Sequence, residues 1–145
     1  MNNHKIFLLS LFALLLGISS QAMADECVGS GKIGEGEKNF SVVLAKAAGM
    51  AAQSFNDIGC AVISRNSECA SRQNAFDDGA VTYAYRSGEE LPIEKAYFVM
   101  QSGEKTPRGF GIVAFKDKAE AEQFSAARGK GKVVKWLELV EEKLQ

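Results

Sequence analysis

The sequence predicts an α+β domain, mostly antiparallel sheet with packed helices, behind a secretory signal peptide. Three observations predict it. Short runs of β-branched and aromatic residues recur between turn signals. Two segments place apolar residues at helical spacing. The first 24 residues have the charged, apolar and small-residue order of an export signal. The elements read β-β-α, then β, then β-β-α-β, which places helices on a largely antiparallel sheet.

The signal runs from a polar head with Lys5, through an apolar run from Ile6 to Ile18, to Ala22-Met23-Ala24. Cleavage is expected before Asp25. The apolar run is shorter than the roughly 18–20 residues that span a bilayer. Cys27 follows Asp25 and Glu26 rather than the cleavage point, which does not fit a lipid attachment site. The expected location is the bacterial periplasm. Residues 25–39 form a flexible, Gly-rich leading segment and residues 40–145 a single domain. About 120 residues after cleavage suffice for one core.

Composition excludes several classes. The net charge is −1 with both signs interspersed, and no basic tract points to nucleic acid. No second apolar run is long enough to cross a membrane. The single histidine, His4, leaves with the signal, so triad and imidazole–zinc chemistry are absent from the mature chain. No enzyme activity is expected. Adjacent carboxylates at Asp77-Asp78 and Glu89-Glu90 read as solvated turns. GSGKIGEG at 29–36 lacks the preceding strand and the Gly-Lys-Ser/Thr ending of a phosphate loop.

Element by element, Phe40–Ala48 reads as a strand, Gly49-Met50 as a turn and Ala51–Phe55 as the returning strand. Asn56 is the expected N-cap, with Asp57 in the first turn of a helix that runs to about Arg65. Residues 66–78 read as a polar connection. Val81–Tyr85 is an alternating strand, and Leu91-Pro92-Ile93 an extended link. Ala96–Met100 and Gly109–Phe115 are strands. Asp117 and Glu120 form a capping-box-like pair before a helix bearing Ala121, Phe124 and Ala127. Gly129 stops it. Lys132–Trp136 is a strand and Leu137–Gln145 a short amphipathic helix. Phe55-Asn56-Asp57 and Phe115-Lys116-Asp117 open the two helices alike, a weak sign of internal duplication.

Residues 55–63 (FNDIGCAVI), 78–103 (DGAVTYAYRSGEELPIEKAYFVMQSG) and 111–142 (GIVAFKDKAEAEQFSAARGKGKVVKWLELVEE) together resemble the NosL family in order and spacing. These are periplasmic accessory proteins of nitrous-oxide reductase. The resemblance covers most of the mature chain. It implies two related ββαβ units, Cu(I) binding, and assistance in maturing a cuproenzyme such as nitrous-oxide reductase. Soft sulfur donors select Cu(I) over harder ions. The family's Cys-x-x-Cys-Gly-Met motif falls on Cys27, Ser30, Gly31 and Lys32, and its Pro-Met-Gly on Pro107-Arg108-Gly109. The chain thus departs at Ser30, Lys32 and Arg108, and Cys27 alone carries over as a ligand position. The alternative is a metal-independent interaction module, with a degenerate metal site, that binds a respiratory-complex client.

The sulfur residues are the candidate site. Cys27 is the first expected metal ligand, with Met100, Met50 or an unbridged Cys60 as helpers. In an oxidising compartment Cys60 and Cys69 are the preferred disulfide, with Cys27 free. Connectivity is not fixed by sequence, and the other pairings stay open.

Overall fold

A computed structural model describes residues 27, 33–44 and 51–144. Residues 1–24, where a signal peptide is expected, and Met50 lie outside the described residues. Among the described residues, no helix is long and apolar enough to cross a membrane.

The fold is α+β, with two sheet-and-helix modules. In the first sheet, β1 (Val42–Leu44) pairs with β2 (Gln53–Phe55) and β3 (Val81–Tyr83), and β3 pairs with β4 (Glu90–Pro92), all antiparallel. In the second, β5 (Tyr97–Met100) lies between β6 (Val113–Phe115) and β7 (Lys132–Val134), again antiparallel. Each sheet therefore has its first strand flanked by the second and third. β1 alternates as a half-buried strand should: Val42 and Leu44 are buried and Val43 between them is half-buried. β6 is buried at all three positions, as befits a strand covered on both faces.

Among the described residues there are four α-helices: α1 (Ile58–Asn66), α2 (Ala70–Asp77), α3 (Lys118–Ala127) and α4 (Trp136–Glu141). A 3₁₀ turn at Lys38–Phe40 precedes β1. α1 packs on β1, β2 and α4, while α3 packs on the second sheet. The larger core cluster includes Val42, Ile58, Phe76, Phe98 and Trp136. The smaller holds Val99, Val113, Phe115, Ala121 and Phe124. Tyr85 joins the modules. Its backbone N–H donates to the Ala114 carbonyl at 2.8 Å, and its ring meets Phe40, Phe115 and Phe124.

Several sequence expectations shift. Asp57, not Asn56, is the N-cap of α1: its extended backbone puts the carboxylate back onto the Gly59 N–H at 2.9 Å. The polar connection at 66–78 contains a helix, α2. Its local pattern is poor, with only Phe76 buried, and its last residue is held by a tertiary ion pair instead. Asp117 caps α3 without a side-chain bond, so no capping box forms; Glu120 pairs with Arg86 at 3.7 Å. The strand expected from Gly109 begins at Val113, because Gly109 (φ 84°) and Gly111 (φ 63°) are left-handed. Leu91-Pro92 belongs to β4, an edge strand, where a missing N–H is tolerated. Trp136 opens α4 rather than ending β7.

Candidate functional site

The site is built on the first turn of α1. A helix start leaves backbone N–H groups without intrahelical partners. Asp57, fully buried, supplies acceptors for two donors: Oδ1 accepts from Gly59 N–H, and Oδ2 accepts from Arg108 N–H, both at 2.9 Å. One carboxylate thus caps the helix and clamps the loop carrying Pro107-Arg108-Gly109.

That loop is shaped by its own turn. Gly109 N–H donates to the Thr106 carbonyl at 3.1 Å, and Gly111 N–H donates to Thr106 Oγ1 at 3.1 Å. Its Phe110 then lies against Gly59. A β-carbon at residue 59 would meet Phe110 Cγ at 2.1 Å, so only glycine permits this approach. The first turn of α1 and the loop at 106–110 therefore meet here.

Cys60 is the third residue of α1, its N–H donating to the Asp57 carbonyl at 3.1 Å. Its sulfur is bonded to Cys27, with Cα atoms 4.9 Å apart. Both residues are buried, Cys60 at 1% exposure and Cys27 at 8%. This corrects the expected Cys60–Cys69 bridge. Those two residues stand near opposite ends of α1, on the order of 13 Å apart at helical rise, whereas a disulfide needs Cα atoms within about 7 Å. The observed bridge also closes a longer loop, across a separation of 33 residues. In chain-entropy terms it stabilises by about 4 kcal/mol, against about 3 kcal/mol for the shorter alternative. Cys27 is consequently not free. The free thiol is Cys69, exposed at the N-cap of α2. The Ser71 hydroxyl, 3.4 Å from Sγ, and a bond from the Arg72 backbone hold it below the usual thiol range.

Met100 ends β5 and is buried, 9% exposed, in the same large core cluster as Cys27 and Cys60. Met50 lies outside the described residues. Among the described residues, no group of three or more His, Cys, Asp or Glu side chains is arranged to hold a metal ion. The disulfide explains part of this, because its sulfurs are not thiolates and the thiolate is the ligand form. Bridged as a disulfide, the pair does not fit Cu(I). As a reduced pair it supplies two soft donors on neighbouring backbones.

Sequence reasoning missed Asp57 as a clamp and Phe110 as the cover of α1. The adjacency of Asp57 to Gly59 in a capping pattern was the available signal for the first. For Phe110 nothing in its local sequence pointed to residue 59.

Compared with protein-family models, curated proteins and solved structures, the chain matches none.

Proposed function

We propose that the chain is an exported accessory protein of the NosL kind, which carries Cu(I) between the reduced thiols of Cys27 and Cys60. It hands the ion to a periplasmic cuproenzyme client such as nitrous-oxide reductase. In this reading the two modules are related ββαβ units, and the chain is a carrier rather than an enzyme. One observation carries the reading: Cys27, the surviving family ligand position, lies against a second sulfur, Cys60. Two thiolates and no imidazole form a donor set suited to Cu(I) over harder cations. Met100 is a thioether in the same core cluster, and the reading does not require it.

Titration of the reduced mature protein with Cu(I) against a competing chelator tests this. The reading expects one ion per chain, bound tighter than micromolar, with binding lost in Cys27→Ala. Affinity no tighter than micromolar, unchanged by that substitution, contradicts it.

A second reading is favoured by Ser30, Lys32 and Arg108 at the family's sulfur positions. It makes the chain a metal-independent interaction module whose disulfide is a staple. Co-purification of a defined respiratory client with the tagged protein, equally with and without copper, supports that reading. A client retained only with copper returns the choice to the first.

A further inference from the structure

We infer that the flank of α4 beside α1 is the contact surface for a second copy of this chain, with Leu137 of each copy seated in a groove of the other. The contact uses neither the disulfide nor a metal.

The groove lies between α1 and the chain leaving α4. Val62 and Ile63 form one apolar wall, Val140 and Leu144 the other, around a volume of about 410 Å³. Val62 and Val140 are buried, while Ile63 and Leu144 are half-buried and still present apolar surface to water. The walls are fixed before any partner arrives. Asn66 Nδ2 donates to the Val140 carbonyl at 2.7 Å, and Asp77 joins Arg65 of α1 to Trp136 of α4. A preformed groove pays little ordering cost on binding.

Leu137 stands beside it. Among the described residues it is the large hydrophobic side chain left exposed, at 65%. At about 100° per residue, it falls between Val140 and Glu141 around the axis of α4, on the flank that borders the groove. One exposed leucine alone is ordinary, but apolar surface continuous with a groove and rimmed by polar residues marks an interaction site.

The occupant is a second copy because this surface holds its own complement. Leu137 lies one turn before the groove residues Val140 and Glu141. A two-fold axis crossing α4 between them carries each Leu137 into the opposite groove. The rim fits the same operation. Glu142 is taken by Lys132, whereas exposed Glu141 and Lys143 form no ion pair among the described residues. Opposite charges on one rim face each other across a two-fold, Glu141 of each copy toward Lys143 of the other.

Sedimentation equilibrium of the oxidised, metal-free mature chain tests the contact, at concentrations up to about 1 mM to reach the weak end of the affinity scale. A Cys69→Ser background removes the exposed thiol, so no disulfide links the copies. A monomer–dimer equilibrium is expected. Leu137→Asp should weaken it at least about tenfold, roughly 1.4 kcal/mol by the affinity relation, with an unchanged circular dichroism spectrum. Glu141→Lys and Lys143→Glu should each weaken the dimer, and the two together should restore it. A monomer at every concentration overturns the inference. So does a dimer unchanged by Leu137→Asp, because the contact then lies elsewhere. Growth beyond the dimer overturns the two-fold arrangement, and a double substitution no stronger than the single ones overturns the rim pairing.

Discussion

Arg108 donates its backbone N–H to Asp57 Oδ2 at 2.9 Å across a separation of 51 residues, and this bond docks the 106–110 loop on α1. The other oxygen of Asp57 is occupied by Gly59 N–H. Replacing Asp57 with Ala leaves both donors without this acceptor. A lost cap and a lost buried acceptor each cost about 1–2 kcal/mol, so Asp57→Ala is expected to lower unfolding free energy by about 2–4 kcal/mol in urea. Because the Arg108 contribution comes from the backbone, Arg108→Lys should leave this bond intact. A loss below 1 kcal/mol in Asp57→Ala contradicts the clamp.

Gly59 and Phe110 offer a second check. Gly59→Ala drives a methyl into the ring and is expected to cost about 1–3 kcal/mol as overpacking. In a Phe110→Ala background the same change should cost much less, giving a coupling of at least about 0.5 kcal/mol. Additive losses in the double-mutant cycle show that the two residues do not meet.

Arg65 and Asp77 tie α2 to α1. The Arg65 guanidinium engages both carboxylate oxygens, the closest contact at 2.6 Å, and Trp136 Nε1 donates to Asp77 Oδ1 at 2.8 Å. Both side chains are largely shielded from solvent. Removing one partner strands a buried charge, so Asp77→Ala is expected to destabilise by about 3–5 kcal/mol. The loss should persist at high salt, unlike that of an exposed pair. Trp136→Phe should cost less, because Arg65 continues to satisfy Asp77. A salt-sensitive loss in Asp77→Ala places the pair at the surface instead.

Cys69 predicts a pH profile. Hydrogen bonds from Ser71 and the Arg72 backbone favour its thiolate, so its folded pKa lies below the ordinary thiol value. Thiolate content rises with pH. Alkylation of the native protein should therefore reach half its maximal rate at lower pH than in the urea-unfolded chain. Ser71→Ala should move that midpoint upward. Thiol counting on the oxidised native chain should find one reactive group. Two or more contradict the Cys27–Cys60 bridge.

The parts of the fold that local pattern dictates were legible in the sequence. Phe55-Asn56-Asp57 and Phe115-Lys116-Asp117 each run from a strand end into a helix N-cap, and Gly129 (φ 64°) ends α3 as a helix-stop glycine should. What depended on distant partners was not legible. α2 carries one buried apolar residue and owes its place to Arg65, so its own periodicity is silent. The disulfide joins residues on either side of the first hairpin, and spacing along the chain favours a nearer partner that α1 holds out of reach. Of the candidate site, Cys27 and Cys60 come together as sulfurs, though bonded rather than open. The loop that docks on the first turn of α1 is held by a backbone N–H that no side-chain motif encodes.

X-ray absorption at the copper edge, on the reduced and Cu(I)-loaded mature chain, tests the metal-carrying account most directly. The account predicts a first shell of two sulfur neighbours that is lost in Cys60→Ser. A shell of nitrogen or oxygen donors, or a sulfur shell unchanged by that substitution, contradicts it.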